Sequence, residues 1–206
     1  MTSPPLYLAS ASPRRREILD QLGIPHQVLH VPAPEGEDEP QWPGEAAADY
    51  VRRTAREKAE RAVRWLADPD RPEGLPSPGE ALILAADTTV ILDGEVLGKP
   101  RDLADAASML ARLSGRPHHV HTAVALAAHG RILESLSVSE VQFTRLSPHD
   151  IQAYCATGEP LGKAGAYGIQ GRAGRFVQHL SGSYTGVMGL PAYEIAELLK
   201  QARDNP

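Results

Sequence analysis

A single cysteine, Cys155, stands in 206 residues. No disulfide can close within the chain, and no thiolate metal site can be assembled from it alone. Long apolar runs are also missing. The longest span six residues, Ala81 to Ala86 and Ala123 to Ala128, against the roughly 20 needed to cross a bilayer as a helix, so no membrane partner is expected. The first thirty residues break their apolar stretch with Pro13, Arg14, Arg15 and Arg16. That excludes an uninterrupted signal-peptide centre and leads us to expect a cytoplasmic protein. Basic charge is not in excess either: 21 lysines and arginines face 26 carboxylates, a net charge of −5. A polymeric nucleic acid partner is therefore not expected, because a basic face supplies most of that affinity. Neither the glycine–lysine phosphate loop, the GxGxxG turn nor the zinc deaminase signature occurs.

What is present is the usage of an ordinary globular domain, 42% hydrophobic and 23% charged. Charge is segregated along it: no lysine or arginine falls between His26 and Val51, whereas Arg52 to Arg64 holds six. Such segregation marks solvated faces, or suits a small polyanion held between cations and a metal. Leu6 to Ala9 reads as a short strand, followed by a helix opened by Ser12-Pro13 and stopped by Gly23. Helical spacing of Val51, Ala55, Ala59, Ala62 and Leu66 predicts the longest helix over Glu45 to Leu66. Ala81 to Ala86 predicts a strand buried on both faces, and Asp93-Gly94 a hairpin turn. A helix over Asp102 to Ser114, strands over His118 to Ala128 and Arg131 to Leu146, and a helix from Ser147 to Gly158 follow. A strand near Phe176 to Leu180 and a last helix from Pro191 complete the chain. The interleaving predicts an α/β or α+β fold with a mixed sheet.

Three places put polar residues where packing does not need them. Ser10-Ala11-Ser12-Pro13-Arg14-Arg15 follows a strand and starts a helix, so amides, hydroxyls and guanidinium groups converge there as a phosphate requires. The same residues also suit a capped surface helix. Asp87 comes directly after the apolar strand, at its expected carboxyl edge, where it needs a cation or a turn to cap. Lys58 flanks the long helix's apolar stripe and Lys99 is held extended by Pro100. Each could snorkel, or close a triphosphate cradle with Arg14 and Arg15. His119 and His121 share a strand face without a third ligand at a recognisable spacing, and His149-Asp150 sits inside a capping sequence.

In their order, these segments resemble the Maf-like nucleoside triphosphate pyrophosphatases, and the resemblance runs from Leu6 to about Leu199. The motifs are Ser10-Ala11-Ser12-Pro13-Arg14-Arg15-Arg16, Arg56-Glu57-Lys58-Ala59, Ala86-Asp87-Thr88-Thr89-Val90, Gly98-Lys99-Pro100, and Lys163-Ala164-Gly165-Ala166-Tyr167-Gly168-Ile169-Gln170-Gly171. Gly182-Ser183-Tyr184 through Gly189-Leu190-Pro191 ends the series. The resemblance implies one domain over residues 1–206, with an elongated mixed sheet, flanking helices and two lobes around a central cleft. It implies cleavage between the α and β phosphates of a nucleoside triphosphate, with a divalent metal, Mg2+ or Mn2+, and a homodimer is expected. Arg14 or Arg15, Lys58 and Lys99 would neutralise the phosphates, with Ser10 and Ser12 beside them. Asp87 would orient or deprotonate water, directly or through the metal. Glu35 aligns with the family's metal-binding glutamate, with Glu37 as the alternative in the run Pro34-Glu35-Gly36-Glu37-Asp38-Glu39.

Arg14, Thr88 and Gln170 match the dTTP/UTP type of the family. The 7-methyl-GTP type has tryptophan, glutamine and glutamate at these positions. Gln170 offers one donor and one acceptor, as the imide edge of uracil or thymine requires. A nucleotide-binding regulator of septum formation and an inosine-triphosphate-type enzyme remain the other readings of the same motifs.

Overall fold

The computed structural model describes residues 4–32 and 39–204. Its centre is a mixed sheet of seven strands in the order β2-β1-β3-β5-β6-β7, with β4 also on β3. The strands are β1 (Leu6–Leu8), β2 (Gln27–Val28), β3 (Leu82–Leu92), β4 (Glu95–Leu97), β5 (Pro117–Ala128), β6 (Arg131–Phe143) and β7 (Val177–Ser181). β1 runs parallel to β2 and β3, and the remaining pairings are antiparallel. The helices are α1 (Pro13–Gln21), α2 (Ala47–Leu66), α3 (Leu103–Leu113), α4 (Pro148–Cys155), α5 (Tyr184–Met188) and α6 (Ala192–Asp204). None is long and apolar enough to cross a membrane among the described residues.

Strand alternation assigns the two faces. Leu6, Leu8, Leu84, Ala86, Val124 and Leu126 enter one core with Ile18 and Leu19 of α1, Leu110 of α3 and Leu198 of α6. Tyr7, Ile83, Ala85, Ala123, Ala125 and Ala127 point the other way, toward α2. The contact with α2 is made of short side chains: Ala55 and Ala59 meet Ala85, Ala123 and Ala125. Alanine on both sides lets the helix axis approach the sheet more closely than leucine would allow.

The structure corrects the sequence reading at two points. β3 does not end at Ala86, and Asp87 is its sixth residue. β5 pairs with β3 residue by residue from Ile83 to Ile91, and Thr88 and Thr89, being β-branched, suit an extended chain. The ladder therefore carries the strand through a polar stretch that hydropathy reads as a boundary, and Asp87 has no turn to cap. Ser12 is the second point: it occupies the N-cap position of α1 without a side-chain capping bond. Its own N–H instead donates to Ser10 Oγ at 3.3 Å. The capping of α4 is as expected, with Ser147 and Asp150 forming a reciprocal box.

β3 is longer than its neighbours on one side. β1 pairs it only as far as Leu84, and β4 pairs it only from Val90 to Leu92. Between them that edge has no strand partner among the described residues, and Asp87 and Thr88 lie in the gap.

The alanine contact predicts a specific sensitivity. Ala59→Leu inserts volume between α2 and the sheet and should lower the unfolding free energy by about 1–3 kcal/mol. Arg64→Ala, on the exposed side of α2, should stay within about 0.5 kcal/mol of the parent. Urea denaturation of both variants checks this, and equal losses would contradict a close helix–sheet contact.

Candidate active site

The gap opens into a cleft of about 870 Å³, within the size range of small-molecule sites. Six basic side chains line it, Arg14, Arg15, Lys58, Arg61, Lys99 and Lys163, against two acidic ones, Glu39 and Asp87. In a chain of net charge −5, this concentration of positive charge is local and suits a polyanion.

On the α2 side, Asp87 is 6% exposed and accepts from Lys58 Nζ at 2.7 Å. Lys58 also pairs with Glu39, so two carboxylates converge on one ammonium. Burial pushes the Asp87 carboxyl up. The charge and hydrogen bond of Lys58, then the charge of Arg15 and a hydrogen bond from Thr54, outweigh it and hold the group below the ordinary carboxylate value. Asp87 is ionised at neutral pH.

Thr88 points to the opposite face of the sheet. Its Oγ1 lies 3.4 Å from Nη2 of Arg15 and 3.0 Å from the Thr122 hydroxyl. Arg15 also donates to Ser10 Oγ at 3.1 Å and to the Gly189 carbonyl at 2.8 Å. All three acceptors are neutral, so they fix the guanidinium without cancelling its charge. Gly189 is required here: its φ is +117°, and a Cβ would sit 3.4 Å from Thr88 Oγ1 and 3.6 Å from Arg15 Nε. Burial lowers the pKa of both Arg15 and Arg14, yet guanidinium groups stay charged. Arg14 and Lys99 have no hydrogen-bonding partner among the described residues, and both face the cleft.

Of the residues singled out from sequence, Ser10, Ser12, Arg14, Arg15, Lys58, Asp87, Thr88, Lys99 and Gln170 all line this one cleft. Glu35 and Glu37 lie outside the described residues. Among the described residues, the loop carboxylate at Lys58 is Glu39, the last acid of the same run and not a choice the sequence reading made. Lys163 was also missed as a site residue. It lines the cleft and its ammonium donates to the Glu159 carbonyl. Gln170 is exposed at the cleft and caps nothing, with no side-chain hydrogen bond among the described residues. The histidine pair gathers no third ligand: no cluster of three or more potential metal ligands exists among the described residues.

The match to a family model described as Maf-like protein covers residues 5–202, and the chain belongs to that family. It is 64% identical over 199 residues to a dTTP/UTP pyrophosphatase of Bordetella parapertussis, covering 97% of this chain and 93% of that protein. A dTTP/UTP pyrophosphatase of Bordetella avium is 60% identical over 97% of this chain and 96% of its own length. One from Cupriavidus metallidurans is 51% identical, covering 96% of both chains. A solved HAM1 protein from Coxiella burnetii is a distant likeness, 17% identical with a TM-score of 0.42, over 70% of this chain and 75% of that one.

Tyr167 forms part of the cleft wall, and its hydroxyl is 2.9 Å from Nε2 of His118. His118 is 1% exposed and packs edge-on against Phe143 and Tyr167. Burial pushes its pKa down to about 4, so the imidazole is neutral in the fold. An unfolded histidine binds a proton near its ordinary value of 6.5, well before the folded one does. Its contribution to stability is therefore present above about pH 6.5 and lost as pH falls toward 4, by up to ~3 kcal/mol. Urea denaturation from neutral pH down to about pH 4 should show this slope, and His118→Gln should remove that part of it.

Proposed function

We propose that this chain hydrolyses dTTP and UTP to the monophosphate and pyrophosphate, in the cytoplasm. The observation that carries the proposal is the buried, ionised Asp87 paired to Lys58 at the floor of a cationic cleft. The names of the relatives and the presence of Arg14, Thr88 and Gln170 specify the substrate. A triphosphate brings about four negative charges at neutral pH, which the six basic residues of the cleft accommodate.

Arg15, fixed by three neutral acceptors, presents a charge in one orientation. Arg14 and Lys99, without a hydrogen-bonding partner among the described residues, can close on phosphate oxygens. Lys58 can turn from the carboxylates to the anion and stabilise negative charge on the leaving pyrophosphate. That motion leaves Asp87 a buried carboxylate without its hydrogen-bonded cation, which raises its affinity for the proton of an attacking water.

The donor set also fits a divalent metal. Glu39 and Asp87 already share one cation, the Lys58 ammonium, and Mg2+ is held by one or two carboxylates, with phosphate oxygens and water completing the shell. When bound there it would supply Lewis-acid polarisation of the phosphate and a lower pKa for water.

Asp87→Asn keeps the shape but cannot accept the proton, so pyrophosphate release from dTTP should fall at least a hundredfold while circular dichroism stays unchanged. Near-normal release by the folded variant would overturn the assignment, and absence of release by the parent would leave a binding protein. Lys99→Ala should lower kcat/KM about tenfold or more by removing a charge-assisted contact. At the base, Gln170→Glu removes the donor and should depress UTP and dTTP hydrolysis relative to GTP. A ratio that does not move, or 7-methyl-GTP as the parent's best substrate, would refute the pyrimidine reading. Because the Gln170 amide is not pinned, it can turn over to meet cytosine, so discrimination against CTP should be modest, about tenfold or less.

A further inference from the structure

The turn that carries Gln170 is braced from behind by one carboxylate. Glu159 follows α4, and its Oε1 accepts from the Tyr154 hydroxyl at 3.0 Å while Oε2 accepts from the backbone N–H of Arg172 at 3.1 Å. Gly171 lies directly against it. A Cβ at Gly171 would sit 2.2 Å from Glu159 Oε1 and 2.7 Å from Cδ, closer than atoms approach. The backbone at Gly171 has φ −97° and ψ −155°. That negative φ does not itself demand glycine, so the missing side chain answers to the carboxylate beside it.

The turn also closes on itself. The Gly171 N–H donates to the Gly168 carbonyl and the Gly174 N–H to the Gly171 carbonyl, each at 3.0 Å. A Cβ at Gly174 would sit 2.7 Å from the Ile169 carbonyl oxygen. Gln170 therefore stands on a tightly held backbone while its own side chain is unpinned. Its amide can meet a base in a defined place only if the backbone beneath it is fixed.

We propose that Glu159 is a positioning residue for base recognition: through Arg172 and Gly171 it holds the backbone from which Gln170 reaches the pyrimidine. The inference rests on the role given to Gln170 above. Lys58, Asp87 and Lys99, which serve the phosphates, sit on other elements and make no contact with the Glu159 carboxylate among those described, and Lys163 donates to the backbone carbonyl of Glu159, which a side-chain substitution leaves in place. Loss of the brace should therefore weaken the base contact and spare the phosphate contacts.

The two products separate these effects. For Glu159→Ala, the inhibition constant of UMP should rise about tenfold, as for loss of one buried hydrogen-bonded contact, while that of pyrophosphate stays within about twofold. KM for UTP should rise with little change in kcat, and the UTP-to-GTP ratio of kcat/KM should fall. Glu159→Gln retains a carbonyl acceptor for the Arg172 N–H and should restore most of the UMP affinity. Gly171→Ala forces the carboxylate aside without removing it and should reproduce the Glu159→Ala pattern, which keeps the test open if Glu159→Ala does not fold.

Equal shifts for UMP and pyrophosphate, or no shift in UMP, would overturn the proposal, since a purely structural brace changes the melting temperature without favouring one product. Gln170→Ala distinguishes the two levels of the argument. If it weakens UMP binding and neither Glu159→Ala nor Gly171→Ala does, the positioning role fails alone. If Gln170→Ala leaves UMP binding unchanged, the base-contact reading fails and the positioning role falls with it.

Discussion

An ammonium held between two carboxylates at the foot of a cleft constrains much of the surrounding structure. A buried carboxylate without a partner costs several kcal/mol, and the cost is offset only when the partner arrives at hydrogen-bonding distance. Lys58 meets Asp87 at 2.7 Å, which sets how near α2 can lie to β3 and in which register. The alanines at positions 55, 59, 85, 123 and 125 satisfy the first requirement, because larger side chains would lift the helix away. Spacing along α2 satisfies the second. Lys58 lies four residues after the buried Thr54 and three after the buried Ala55, so its stem leaves α2 on the side that packs against the sheet.

Consecutive residues of a strand point to opposite faces, so Asp87 and Thr88 serve different layers of the molecule. Asp87 belongs to the layer under α2, where the charge pair sits. Thr88 belongs to the layer where Arg15, Thr122 and Gly189 meet. In a fully paired sheet the two would be separated by the neighbouring strand. Here β1 stops opposite Leu84 and β4 covers only Val90 to Leu92, and a ligand lying in the gap can reach both layers. The irregular sheet edge is thus a requirement of the site, which draws a carboxylate from one face and an anchored arginine from the other.

The sequence showed which polar residues gather at the cleft better than it showed how they are placed. Ser10, Arg14, Arg15, Lys58 and Lys99 stood out from their local context: a helix start, the flank of an apolar stripe, or for Lys99 an extended position before Pro100. Asp87 stood out for a partly wrong reason: the apolar run stops before it, but the strand does not, since pairing with β5 is a non-local interaction that hydropathy cannot reveal. Glu39 was hidden among neighbouring acids, and its meeting with Lys58 is a contact between distant segments that the sequence pattern does not show. The glycine at 171 looked like any turn glycine. Its real neighbour, Glu159, is separated from it in sequence by an entire loop and becomes evident only when a side chain is imagined in its place.

Adjacent arginines illustrate how such a site divides its work. Arg15 is restrained by a carbonyl and two hydroxyls, and neutral acceptors orient a guanidinium without neutralising it. Had those acceptors been carboxylates, the same geometry would have removed the positive field that an anionic ligand needs. Arg14 is left with no such restraint among the described residues, although burial disfavours its charge. A partly desolvated, unpartnered cation interacts more strongly with an arriving anion than a fully hydrated one, because less water must be displaced and the local dielectric is lower. Fixed and free cations side by side therefore favour an anion over water for different reasons, the first through preorganised orientation and the second through hydration already forgone.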